Sequence, residues 1–201
     1  VSTLTAETAA EFLGAPQEQI DATDARGAFV SAIYDESPAA RSGIRPGDLI
    51  VAVNGIPITN SNELVQNVAG LTPGDSVPFE VIRNGEQQTI TVKTGRRDDT
   101  ALADATLWPG MSVAPVTERV REQLELSDGT DGVIVAGVAG ESRARQSGIR
   151  RGDVIQAING RQIQTVSDFY TVLSQVDEEE VQFRVLRDGQ RLILGFVRPT
   201  A

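Results

Sequence analysis

Short apolar runs, each closed by a turn signal, divide this chain. Gly27 to Ile33 (GAFVSAI) and Leu49 to Val53 (LIVAV) have the length and branched content of buried strands. Between them, Ser37 suits a helix N-cap, Pro38 the first helical position and Gly43 the residue just past the end. A helix of one to two turns is predicted there. Arg45-Pro46-Gly47-Asp48 reads as a turn and Asn54-Gly55 as a tight hairpin turn. Leu64, Val65, Val68 and Leu71 then recur at i, i+1, i+4 and i+7, which makes one apolar helical face. Asn60 is placed to cap that helix, with Glu63 as its capping-box partner. After the breaker Pro73-Gly74-Asp75, strands Val77–Arg83 and Gln88–Lys93 pair across Asn84-Gly85.

The same pattern returns 105 residues later. Residues 27–58 and 132–163 align without a gap, and half of the paired positions are identical. A repeat of this size marks two copies of one domain rather than a solenoid of short units. In the second copy the strand is Val133–Val138, and a short helix begins near Ser142. Arg151-Gly152-Asp153 is the turn, and Val154–Ile158 runs into Asn159-Gly160. Thr165 and Asp168 form the capping pair, Phe169, Tyr170, Leu173 and Val176 the helical face. The last hairpin is Val181–Arg187 and Arg191–Val197 around Asp188-Gly189. Residues 6–13 and 116–126 have helical character, the latter with Glu118 and Glu122 outward. The domains are expected at 1–95 and 107–201, joined by a polar, Ala-rich linker at 96–106.

Composition removes several functions. The net charge of −10 opposes a phosphate-binding groove, and so nucleic acid, and disfavours docking on anionic lipid. With no cysteine there is neither a disulfide nor a thiolate metal site. With no histidine, neither a Ser-His-Asp triad nor a HExxH zinc site can be built from these residues. No catalysis, cofactor or metal is expected within them. No apolar run reaches the length of a membrane span, and no leader is visible. Val1 in place of an initiator Met reads as a mature form or an excised segment. Asp48 and Asp153 sit in Gly-Asp turns, where bonding to local backbone is expected, and Asp177-Glu178-Glu179-Glu180 reads as a solvated loop.

The order strand, SPAARSGIRPGD, LIVAVNG, helix, strand-NG-strand resembles a PDZ domain, present twice. It is most similar to the circularly rearranged PDZ domains of HtrA/DegP-type proteases, whose conventional first strand comes last, here Gln88–Lys93 and Arg191–Val197. The resemblance implies a mostly β fold with short helices: two circularly permuted PDZ domains, each a partly open barrel or sandwich capped by two helices. It also implies binding of extended peptides by β-augmentation, the C-terminal carboxylate entering a glycine loop of backbone N–H donors.

In copy two that loop maps to Trp108-Pro109-Gly110-Met111, and the strand after it begins Ser112-Val113. Pro109 has no N–H, so Gly110 and Met111 are the expected donors. In copy one Val1 is expected as the last loop residue and Ser2-Thr3-Leu4 as the strand, most of the loop falling before the chain starts. The pocket walls are expected from Leu64, Val65 and Val68, and from Phe169, Tyr170 and Leu173. Tyr170 and Trp108 are expected as exposed aromatics beside the groove. The implied function is that of a tandem PDZ region of a periplasmic or cell-envelope serine endopeptidase and chaperone. Its partners would be unfolded or C-terminal peptides, its own protease domain and neighbouring subunits. A tandem PDZ region of a membrane-embedded metalloprotease and a free-standing adaptor are the alternatives.

Overall fold

The computed structural model describes residues 2–4, 27–34, 37–95, 107–127, 129–176 and 180–197. The helical character read for 6–13, the linker at 96–106 and most of the acidic run at 177–180 lie outside them. The chain forms two compact units that divide between Leu107 and Trp108.

In the first unit the strands are β1 (Ser2–Leu4), β2 (Gly27–Phe29), β3 (Ile33–Tyr34), β4 (Leu49–Val53), β5 (Ile56–Pro57), β6 (Ser76–Arg83) and β7 (Glu86–Lys93). The helices are α1 (Pro38–Arg41) and α2 (Ser61–Ala69). The antiparallel sheet runs β1-β2-β4-β6-β7, with β5 paired to β4. The strand expected over 27–33 is split. Val30 leaves the ladder and instead exchanges hydrogen bonds with the turn before β4, its N–H donating to Asp48 O and its C=O accepting from Gly47 N.

The second unit repeats this plan. Opening at β8 (Leu107–Trp108), whose two residues fall on either side of the division, it contains β9 (Met111–Pro115), α3 (Glu118–Gln123), β10 (Val133–Val138), α4 (Arg143–Gln146), β11 (Val154–Ile158), β12 (Arg161–Gln162), α5 (Val166–Ser174), β13 (Glu180–Arg187) and β14 (Gln190–Val197). Its sheet runs β14-β13-β11-β10-β9. In both units the last strand lies at one edge, as the permuted order requires, and neither sheet closes into a barrel.

Local chemistry explains these elements. Ser37 and Ser142 cap the short helices by accepting the N–H groups of Ala40 and Arg145. Asn54-Gly55, Asn84-Gly85, Asn159-Gly160 and Asp188-Gly189 all have two successive positive φ angles, the signature of tight turns that match strand twist. The capping box of α5 is closed between Thr165 and Asp168. That of α2 is displaced by one residue: Asn60 accepts from Glu63 N, but the Glu63 carboxylate takes the N–H and hydroxyl of Thr59. Those bonds hold the Glu63 carboxyl below its ordinary pKa.

One glycine in each copy is needed for close approach. A Cβ on Gly27 would lie 2.7 Å from Ile50 O, and one on Gly132 2.5 Å from Ile155 O. Both copies also carry a bulge at the same place in the central strand, between Ile50 and Ala52 and between Ile155 and Ala157. The first core gathers Ala28, Val30, Ile50, Val53, Ile58, Leu64, Phe79 and Val81. The second gathers the equivalent Val133, Val135, Ile155, Ile158, Ile163, Phe169, Phe183 and Val185.

Candidate functional site

In the second unit β9 is an edge strand, paired with β10 on one side and with no strand on the other among the described residues. Helix α5 packs against β9 and β11. An edge flanked by a helix offers a row of backbone donors and acceptors beside a side-chain wall, the geometry that takes up an added strand. The segment before β9 is clipped in place by its own main chain. Pro109 O accepts from Ala144 N at 3.1 Å, and Gly110 O accepts from Ala139 N at 2.8 Å. Gly110 has φ +73°, a left-handed conformation that glycine adopts without a Cβ penalty. The Trp108-Pro109 bond is cis.

The side chains expected to line the groove are deeply placed here. Phe169, Tyr170, Leu173, Met111 and Val113 are all buried, while Ser112 faces outward. Phe169 and Tyr170 meet edge to face at 5.1 Å between ring centres. The expectation of Trp108 and Tyr170 as exposed aromatics fails: they are 1% and 3% exposed. An indole and a phenol ring each carry a large apolar area, and both are buried here. Burial raises the Tyr170 hydroxyl well above its ordinary pKa, so it stays protonated.

In the first unit β1 occupies the same edge, and α2 packs against β1, β2 and β4. The register corrects the expected alignment. Ser2 pairs with Phe29 as Ala114 pairs with Ile134, and Thr3 with Ala28 as Pro115 with Val133. Ser2 therefore stands at the Ala114 position. Val1, expected as the last loop residue, lies outside the described residues.

Beside α2 the first unit has a cavity of about 310 Å3. It is walled by Ile33, Pro38, Ala39, Leu64, Val68 and Leu71 and floored by Val30, Ile50, Phe79 and Val92. Ala39 is the counterpart of Ala144, on which the Pro109 carbonyl rests in copy two. The structure thus places Leu64 and Val68 together on one apolar wall. Val65 is 59% exposed, outside that wall, because one position along the helix turns a side chain by about 100°.

Sequence reasoning missed the strongest polar feature of both units. Asp48 accepts from Arg45 N, as expected of a turn, but it also holds Arg83 in a two-pronged ion pair at 2.6 and 2.7 Å. Arg83 donates further to Gly43 O, the residue that closes α1. Asp153 and Arg187 repeat every one of these bonds, ending on Gly148 O. Both carboxylates are buried. Donating to the Asp153 carboxylate holds the Arg187 guanidinium still more firmly in its charged form. The available signal was an arginine at the last position before the turn in both hairpins. These aspartates tie turn, helix end and hairpin together and face no open site. Among the described residues no group of acidic side chains is placed to hold a metal ion.

Two antiparallel sheets of one plan, each with an edge strand beside a helix, define a duplicated domain. The PDZ domain family model matches the chain twice, at residues 12–94 and 113–194. The chain belongs to the PDZ domain family and carries two such domains. Among curated relatives it is 32% identical over 181 residues to a "Probable periplasmic serine endoprotease DegP-like" of Pseudomonas putida strain F1, covering 85% of this chain and 37% of that protein. A protein of the same description from Marinomonas sp. strain MWYL1 is 31% identical over 176 residues, with the same coverage. The chain therefore spans little more than a third of the length of these relatives. Similar solved structures include an HtrA-type protease AlgW with decapeptide, 20% identical with a TM-score of 0.41, covering 77% of this chain and 56% of that one. Another is the HtrA3 PDZ domain bound to a phage-derived ligand, 23% identical with a TM-score of 0.38, covering 44% and 80%. Among the described residues no helix is long and apolar enough to cross a membrane.

Proposed function

We propose that this chain is the tandem PDZ region, with domains at 1–95 and 107–201, of an HtrA/DegP-type serine endopeptidase of the bacterial periplasm or cell envelope. Its role is to hold extended or C-terminal segments of unfolded proteins for that protease. The observation that carries the reading is the edge strand β9, preceded by the left-handed Gly110 loop and flanked by α5. A peptide added to β9 runs between strand and helix, with its terminal carboxylate toward the N–H groups of Gly110 and Met111. The DegP-like names of the relatives supply the parent class and the compartment. Copy one offers the second edge, β1, and an apolar cavity beside α2 for a side chain. Two weak grooves on one chain hold a long polypeptide better than one, since the second contact forms at an effective concentration of about mM.

Titrating peptides with apolar C-termini, as free acids and as amides, tests this. The acid form should bind more tightly by about 1–3 kcal/mol, because hydrogen bonds to a charged acceptor are the stronger kind. Equal affinity for the two forms would show that the loop does not read a carboxylate. Gly110→Ala, which forces a Cβ into a left-handed backbone, should remove the preference and leave the fold cooperative.

A further inference from the structure

The second domain has a pocket on the far side of β10 from β9. It is an open cavity of about 680 Å3 between Ala136–Val138, at the end of β10, and Arg145, Gly148, Ile149, Arg150 and Arg151. Three observations give it a chemistry. The first is charge. Residues 139–152 hold four arginines and one carboxylate, Glu141, in a chain of net charge −10. The matching stretch of the first domain, 34–47, holds two arginines and two carboxylates, with Ala40 and Pro46 in place of Arg145 and Arg151. The scaffold therefore does not require these cations.

The second observation is that they are uncommitted. Arg145, Arg150 and Arg151 are exposed, and among the described residues no hydrogen bond or ion pair holds their guanidinium groups. Only their backbone is used: Arg145 N and Arg150 N donate to Ser142 and Asp153, and the carbonyls of the same two residues accept from Gly148 N and Asp153 N. The third is a second sheet edge. β11 pairs with β10 only at Val133 and Ile134, and the turn before β11 reaches as far as Val135. Beyond that, Ala136–Val138 has β9 on one side and no strand on the other among the described residues.

We propose that this pocket docks an acidic, extended polypeptide segment. Its backbone pairs with Ala136–Val138, and its carboxylates meet Arg145, Arg150 and Arg151. A free strand edge selects a polypeptide over a small anion. The forked guanidinium groups select carboxylates, and Val138 and Ile149 accept an alternate apolar side chain between them. The site is separate from the β9 groove and does not depend on the reading of that groove.

The test uses a fluorescent peptide of alternating Glu and Val, amidated at its C-terminus so that it presents no terminal carboxylate. It should bind residues 1–201, weaken steadily as salt is raised, and shift the amide resonances of Ala136–Val138. Arg145→Glu with Arg151→Glu should weaken it about tenfold or more, while an apolar free-acid peptide keeps its affinity. Both side chains are exposed, so the melting temperature should hold; should it fall, Arg145→Gln with Arg151→Gln gives the same reading. Unchanged affinity in the paired variant overturns the proposal. Tripolyphosphate binding as tightly as the peptide, with no shift at Ala136–Val138, overturns it in favour of a simple anion site.

Discussion

The two domains share a scaffold and differ at the groove. In both, a Gly-Asp turn, a serine-capped short helix and a hairpin arginine are joined by one pattern of bonds, Asp48 to Arg83 and Asp153 to Arg187. In both, a glycine lets the second strand of the sheet pass over the next. The groove helices diverge. α5 buries Val166, Phe169, Tyr170, Leu173 and Ser174, whereas α2 buries Leu64 alone and leaves Val65 and Val68 largely exposed. In copy two Trp108 and Met111 are buried ahead of and within the edge strand. The duplicated parts are those that close the chain on itself. The parts that differ are the faces of the helix beside each edge strand.

Truncation on the groove helix should separate the copies most. Phe169→Ala removes a fully buried ring and should cost about 3–5 kcal/mol of second-domain stability. Val65→Ala on the first domain should stay within about 0.5 kcal/mol. Trp108 is the only tryptophan, so its fluorescence reports the second domain's melting, and circular dichroism reports both. Similar losses from the two variants would mean that the grooves are equally built.

The shared ion pair should behave alike in the two. Asp48→Ala and Asp153→Ala each strand an arginine beside a helix-end carbonyl and should each cost about 3 kcal/mol, less than a fully buried charge because the arginines keep some water. A large difference between them in denaturant titrations would break the claim of one scaffold. Next come Gly27→Ala and Gly132→Ala, which push a Cβ against a carbonyl and should cost about 1–3 kcal/mol each. Gly132 also has φ +139°, so its substitution should be the worse of the two.

The smallest effect belongs to Glu63. Its folded pKa lies below the ordinary 4.5 because Thr59 donates two bonds to its carboxylate. A depressed carboxyl contributes stability above the unfolded value and loses it as pH falls through the folded one. Glu63→Gln should therefore lower the first domain's melting temperature slightly at pH 7, and the difference should vanish in acid below that range. A gap that persists at low pH would assign the effect to packing.

Much of the scaffold was legible because its signals are local. Ser37-Pro38, Asn54-Gly55 and Thr165 with Asp168 each act within four residues, where steric preference and one hydrogen bond decide the backbone. The repeat doubled the reading, since every signal could be checked against its counterpart. The groove was legible only in outline. The alternation of apolar positions on α2 named Leu64, Val65 and Val68 together, but an apolar face says nothing of which part sinks into the core. The offset of 105 places the strands after Gly27 but not β1, because the segment before Gly27 differs in length between the copies.

The sequence by itself determined two PDZ domains, their turns, caps and helix starts, and the absence of histidine and cysteine, and so which chemistries these residues cannot perform. Only the tertiary structure decided that Asp48 and Asp153 reach 35 and 34 residues along the chain to an arginine. It alone showed Trp108 and Tyr170 inside, and a cavity beside α2. The physical reason is range. Turns and caps draw their free energy from neighbours in the chain, whereas burial, pairing and cavities depend on which distant surfaces meet, and the same apolar or charged residue serves equally well inside or out until they do.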